Sequence, residues 1–298
     1  MSEVPRLLCV HPHPDDESIA CGGVLARYAS LGATTAVVTC TGGEAGENLA
    51  GIDLGDEDLT THRRRELADA LAELDVTEHV WLGYRDSGMA GTADNAHPEA
   101  FVVAEVEQAA RRLAVEVRRL RPHVVVSDDE RGSYGHPDHI HAHRVTVRAV
   151  ELAGDEDVDL EGRAPWRVAK RYVHALAVER LLTMHRALRA ADLPSPFGEE
   201  TLLDVDELPF GVPAAGITTR IDVRGHLAAK RAALRAHRSQ IADESFFLNV
   251  PEELAGEVFG LEEFVLELGE LGADPAAEGR ETDLFAGLAV AWPHGGDG

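Results

Sequence analysis

The chain is short of cations. Its 298 residues carry 28 Lys and Arg against 53 Asp and Glu, a formal net charge of −25. Nucleic-acid affinity comes from basic side chains displacing phosphate counterions, so this balance excludes a nucleic-acid partner. It equally excludes electrostatic docking on an anionic membrane. Cysteine is scarce as well. Cys9, Cys21 and Cys40 are odd in number and have no C-x-x-C spacing. That argues against a disulfide framework and fits a reducing cytoplasm. They read as small buried apolar groups rather than nucleophiles. Long apolar runs are missing: Leu7 to Val10 is too short for a signal-peptide core, and nothing approaches the roughly 18 apolar residues of a membrane span. A G-x-G-x-x-G loop is missing too. The first strand leads into His-Pro-Asp-Asp, which excludes a dinucleotide-dependent dehydrogenase.

What is present is an ordinary apolar fraction of 44%, enough for a substantial core. No internal repeat is found. Short apolar runs alternate with longer helical patterns in the first half. Strands are expected at Arg6–His11, Thr35–Cys40, Glu78–Leu82 and His123–Ser127. Helices are expected at Glu17–Ser30, Thr61–Leu74 and Pro98–Leu120, with a Gly- and acid-rich loop over Gly42–Gly55. Val124 to Val126 has the composition of a strand buried on both faces. Such alternation predicts βαβ units: a Rossmann-like, mostly parallel sheet flanked by helices. Residues 1–180 are expected to form the α/β catalytic core. Residues 181–298 are expected to be a C-terminal addition completing the same body. Within the second half, Asp155–Trp166 reads as a loop and Arg171–Ala177 as a strand. Pro194–Gly216 reads as irregular, Thr218–Val223 as a strand and His226–His237 as a helix. Ser239–Gly279 holds eleven acids and no Lys or Arg, and reads largely as solvated surface.

Two clusters carry chemistry. In a parallel sheet, ligands bind outside the carboxyl ends of strands. The first strand ends at His11-Pro-His-Pro-Asp-Asp-Glu17. There His13, Asp15 and Asp16 offer imidazole and carboxylate donors of the kind zinc takes. A carboxylate beside a metal's water can serve as its base. Either acid also suits a plain helix N-cap. The second cluster, Gly132-Ser-Tyr-Gly-His-Pro-Asp-His139, follows the His123–Ser127 strand. His139 and His143 share a helix face, but no Glu follows His139 as H-E-x-x-H requires. A solvated helix start with Pro137 in its first turn is the bland alternative. Two such clusters at two strand ends together favour a metal site.

His13-Pro-Asp-Asp-Glu17 and Gly135-His-Pro-Asp-His139 resemble the paired signatures of the PIG-L/LmbE-like metal-dependent N-deacetylases. Further matching stretches are Thr41–Glu47, Arg85–Gly91, Arg121–Val126 and Glu281–Gly287, while residues from about 180 to 280 match less. The match is nearest to the branch that removes acetate from N-acetylglucosaminyl-inositol in mycothiol biosynthesis. A sister branch, the mycothiol S-conjugate amidases, has the same site. Ala20, Tyr134-Gly-His136 and Ser87–Ala90 resemble the first branch, whereas Thr218–Ile221 and Gly260–Val265 look more like the second.

The resemblance implies one Zn2+ per subunit, with Fe2+ fitting the same facial set, held by His13, Asp16 and His139. It implies Asp15 as the general base on the attacking water. His136 matches the histidine that stabilises the tetrahedral intermediate and helps protonate the amine, with Asp138 orienting it and Tyr134 near the oxyanion. Arg63, Glu47 and Asp86 match residues that hold sugar or inositol hydroxyls, with Met89 beside them. It further implies a small-molecule sugar-inositol substrate and leaves a homo-oligomer open. His141 and His143 are expected to be solvated or to back the ligands. His237 and Gln240 are expected to be structural more often than pocket residues.

Overall fold

A computed structural model describes residues 3–198, 204, 208, 210–272 and 279–293. Pro209 and residues 273–278, which the sequence places in the irregular and acidic segments, lie outside the described residues.

One seven-stranded sheet organises the molecule, in the order β3-β2-β1-β4-β5-β7-β6. Its strands are β1 (Arg6–His11), β2 (Thr34–Thr41), β3 (Glu78–Tyr84), β4 (Val124–Ser127), β5 (Lys170–Ala175), β6 (Thr219–Asp222) and β7 (Leu261–Leu268). The first five run parallel. β7 is antiparallel to both β5 and β6. Chain order reverses between β1 and β4, the position where open α/β sheets bind ligands. The strands alternate their side chains between two cores. Cys9 packs with Cys21, Val24 and Leu25 of α1 (Asp16–Ser30) and with Leu67 and Leu71 of α2 (Leu59–Glu73). Leu8 and Val10 pack on the other face with Leu113 and Val117 of α3 (Val106–Leu120) and Val145 and Ala149 of α4 (Pro137–Gly154). Three helices follow: α5 (Val178–Ala190), α6 (Leu227–Ala236) and α7 (Glu252–Phe259). Among the described residues, no helix is long and apolar enough to cross a membrane.

Three expectations need correction. The helix expected over Pro98–Leu120 begins only at Val106. Before it, Arg85 N donates to Glu99 O at 3.0 Å and Phe101 N donates to Arg85 O at 2.8 Å. That parallel bridge at Ala100, followed by a short 3-10 helix over Phe101–Val103, takes the place of the helix start and sinks Phe101 into the core. α5 had no counterpart in the sequence expectations. The acidic segment is not simply surface, because it supplies α7 and the internal strand β7. Glu262 and Glu263 on that strand are buried. Glu262 accepts from Gly23 N and Val24 N at 2.8 Å each and from Lys230 Nζ at 2.6 Å. Glu263 accepts from Ala177 N at 2.9 Å and pairs with Arg180 and Arg220.

Candidate active site

Beyond β1 the chain is tied to the end of β2. Thr41 donates from both N and Oγ1 to Pro12 O, each at 2.9 Å. Asp15 then adopts φ 115°, which L-residues rarely occupy. Two flanking sets of bonds hold it there. Asp15 N donates to Glu17 Oε2 at 3.0 Å, and Asp15 O accepts from Ser18 N and Ile19 N at 3.1 and 3.0 Å. His13 N donates to Asp16 Oδ2 at 2.9 Å. Glu17 is fully buried and faces His237 Nε2 at 2.8 Å.

Beyond β4 lies a turn that needs glycine. Gly132 has φ 66°, and a Cβ there would come within 2.8 Å of Ile140 N and 2.9 Å of His136 O. Pro137 starts α4, and His136 is its N-cap, with Nδ1 accepting from Asp138 N at 3.1 Å. That bond leaves the His136 ring proton on Nε2. Burial, helped by His13, pushes the His136 pKa down to about 4, so the ring is a neutral donor near pH 7.

The two loops converge on Asp16. Its Oδ2 lies 3.3 Å from His13 Nδ1 and its Oδ1 lies 3.5 Å from His139 Nε2. Each histidine turns its other nitrogen to a carboxylate. His139 Nδ1 meets Asp128 Oδ1 at 2.7 Å, and His13 Nε2 meets Asp138 Oδ2 at 3.2 Å. Such backing fixes the tautomer and aims the free nitrogen at a metal. His139 Nε2 is buried and has no hydrogen-bond partner among the described residues. An ion between His13, Asp16 and His139 would satisfy it, so these residues fit a divalent metal. Burial opposes ionisation of Asp16, but His139 and His13 outweigh it and hold the carboxyl far below its usual range. Around this centre, among the described residues, the sets whose donor atoms all lie within 4.8 Å of one another are His13, His136 and His139, and His13, Asp86 and Asp138.

The other expected residues divide into two groups. Asp15 is pushed up to about 6 by burial, against the pull of Arg63. Arg63 is 3% exposed. Its Nη1 donates to Gly43 O at 3.0 Å, and its Nη2 donates to Pro14 O at 2.7 Å and to Asp15 Oδ2 at 3.4 Å. Asp138 is buried, and its carboxylate accepts from both Ser87 N and Ser87 Oγ. Its link to His136 therefore runs through its N–H, while its carboxylate serves His13. Tyr134 stands exposed over the histidines, with ring centroids 6.1 Å from His136 and 5.3 Å from His139. Partial desolvation by the surrounding loops and the nearby Asp16 raise its pKa, which keeps it a donor. Asp86 is buried. It accepts from Gly88 N at 2.8 Å and Ala45 N at 3.3 Å, with Oδ1 3.5 Å from His13 Nε2. Glu47 and Met89 are set apart on exposed loops. Glu47 O accepts from Gln240 Nε2 at 2.9 Å.

Several residues escaped the sequence reading. Asp128 joins His139 to His174 Nε2, which lies 2.8 Å away on β5. Its only sequence signal is an acid directly after a buried strand. Ser87 anchors Asp138 from within a stretch already quoted as a motif. Glu17 clamps both Asp15 and His237. His141 is not solvated: it is buried edge-on against Phe101, with centroids 4.7 Å apart.

Residues 8–150 match the family model described as PIG-L: GlcNAc-PI de-N-acetylase. A protein of Thermomonospora curvata named 1D-myo-inositol 2-acetamido-2-deoxy-alpha-D-glucopyranoside deacetylase is 47% identical over 295 residues, spanning 95% of this chain and 97% of that protein. One of the same name from Thermobispora bispora is 45% identical over 303 residues, spanning 95% and 98%. The solved N,N'-diacetylchitobiose deacetylase of Pyrococcus horikoshii shares the fold, with a TM-score of 0.59 at 19% identity, over 88% of this chain and 83% of that one. The 45–47% identity to the two relatives over nearly the whole length, with the family match over residues 8–150, means that the chain belongs to the PIG-L de-N-acetylase family.

Proposed function

We propose that this protein hydrolyses the N-acetyl amide of 1-D-myo-inosityl 2-acetamido-2-deoxy-alpha-D-glucopyranoside, releasing acetate and the free amine in mycothiol biosynthesis. The single observation that carries the reading is the convergence of His13 Nδ1 and His139 Nε2 on Asp16, each ring backed by a second carboxylate. The near-full-length relatives with that name supply the substrate.

His13, Asp16 and His139 hold one Zn2+. A bound zinc activates water at neutral pH and polarises a carbonyl oxygen. Asp15 accepts the proton of the attacking water, and its carboxyl, pushed up to about 6, can release that proton again near neutrality. His136 donates a hydrogen bond from Nε2 to the oxygen that gains charge, and Tyr134 donates from its hydroxyl. The leaving nitrogen takes the proton that Asp15 accepted from the water, so the protons balance, while neutral His136 contributes its Nε2 hydrogen bond rather than a proton. Asp138 and Ser87 keep His13 aligned. Arg63, Glu47, Asp86 and Met89 form the sugar and inositol end, with Arg63 also setting the charge of Asp15. Residues 1–180 carry this chemistry, and residues 181–298 complete the same body, working in the cytoplasm. Thr218–Ile221 and Gly260–Val265, the stretches resembling the amidase branch, contribute β6 and β7 and pair with each other.

The test is direct. Purified zinc-loaded protein is incubated with the N-acetyl sugar-inositol and, separately, with a mycothiol S-conjugate, and free amine is measured. Turnover of the first is expected. Turnover of the S-conjugate alone would replace this reading with the amidase.

A further inference from the structure

His11 ends β1 and is fully buried, and neither of its ring nitrogens has a nitrogen or oxygen partner among the described residues; what stands beside it is the Cys9 thiol. Buried polar groups are nearly always satisfied, and a ring left with only a thiol calls for an explanation. The proposed reaction gives His11 no task. Cys9, two residues earlier, shares its face of β1. Cys21, on α1, packs against that same face. One ring nitrogen of His11 and the sulfurs of Cys9 and Cys21 all lie within 4.8 Å of one another, and all three residues are at 0% exposure. Donors at zinc–sulfur and zinc–nitrogen distances of about 2.3 and 2.0 Å sit a little under 4 Å apart, so this spacing is close to a coordination shell.

We infer that Cys9, His11 and Cys21 form a second, buried three-donor metal site for a thiophilic divalent cation of the zinc class. Thiolate and imidazole donors select such ions and reject Mg2+ and Ca2+. Binding forms two metal–sulfur bonds and one metal–nitrogen bond and releases two thiol protons to solvent. A divalent ion with two thiolates and a neutral imidazole is neutral overall, which suits a site without solvent contact. The metal also gives the buried His11 ring a stronger partner than the Cys9 thiol alone. With three protein donors a tetrahedral ion takes a fourth, small ligand such as water, and because every donor is buried no substrate reaches it, so the site is structural rather than hydrolytic. It abuts the proposed catalytic centre: the His11 ring lies 6.2 Å from that of His174, which contacts Asp128. Cys40, the third cysteine, belongs to the core on the opposite sheet face and takes no part.

Cobalt(II) separates the two centres, because only the cysteine site contains sulfur. The reduced, metal-free full chain is titrated with Co2+, and the ions are counted by native mass spectrometry. Two ions per chain are expected, together with a near-ultraviolet thiolate-to-cobalt charge-transfer absorption. Cys21→Ala should bind one ion and lose that absorption, while Cys40→Ala should keep both. If Cys21→Ala does not fold, the wild-type absorption decides alone. Folded, reduced wild type that binds a single ion without the absorption overturns the inference. Isolation with Cys9 and Cys21 joined as a disulfide overturns it as well. Neither readout depends on turnover, so failure of the deacetylase reading leaves this test intact.

Discussion

Replacing Arg63 with Met should move the acid limb of the pH–rate profile. Asp15 is pushed up to about 6 by burial, and the Arg63 guanidinium is the largest opposing influence. Arg63 Nη2 stands 3.4 Å from Asp15 Oδ2. Unit charges at that separation interact by about 5 kcal/mol at an effective dielectric of about 20. Water and neighbouring dipoles relaxing into the vacated space remove much of this. We take about a third, close to one pH unit. The Asp15 pKa then rises from about 6 to about 7. At pH 6 the ionised fraction falls from about a half to about a tenth, so kcat/KM drops roughly fivefold from this effect. At pH 8 the loss is only about a tenth. The assay is kcat/KM for release of free amine by zinc-loaded wild type and variant between pH 5 and 9, with Tm confirming the fold. A limb that does not move would refute the tuning of Asp15 by Arg63. A drop of equal size at every pH would mean that Arg63 only holds substrate.

Three other perturbations follow. Asp128→Asn removes the charge that backs His139 and His174, and metal affinity measured against a competing chelator should fall about 10- to 100-fold; unchanged affinity would mean that His139 needs no such support. His237→Gln should destabilise the protein more at pH 6 than at pH 9. Burial pushes the His237 pKa down, but Glu17 outweighs it and lifts it above 6.5. A raised pKa adds stability that is fully present below about 6.5 and is lost as pH rises through the folded value. Equal Tm losses at both pH values would contradict the ion pair. Lys230→Met leaves Glu262 charged and buried without its cation. Breaking such a pair costs about 3 kcal/mol or more, which should lower Tm by roughly 5 °C or more. A change under about 1 °C would show that the Gly23 and Val24 amides alone satisfy Glu262.

The parallel half of the sheet is legible because its information is local. Val124 to Val126 can only be a strand covered on both faces, and both His-Pro-Asp clusters are contiguous stretches placed at strand ends. Pro98–Val106 misled because apolar periodicity cannot detect a partner. The chain there is bridged to Arg85, which lies outside the segment, and then turns through a 3-10 helix over Phe101–Val103. Asp128, Ser87 and Glu17 were missed for the same reason. Each acts on a side chain that only the fold brings near it, and an acid or serine after a strand is too common to mark itself. The Asp15 backbone angle has no sequence signal at all, since an N-cap and a residue at φ 115° are written with the same letter.

The acidic surplus needs dividing in a way composition cannot do. The chain has only two lysines, and both are buried against glutamates, Lys170 on Glu281 and Lys230 on Glu262. Glu263 is held by Arg180 and Arg220, and Glu17 by His237. Each is an acid of the interior, where an unpaired charge would be prohibitive and the partner fixes how two segments meet. Lys230 and Glu262 join α6, β7 and the body of α1 at Ile19, Gly23 and Val24, so they position the helix that begins with Asp16. A count of charges treats these acids like those on solvated loops. Their effect on the proposed active site comes from burial and pairing, through the placement of α1, and not from the −25 total.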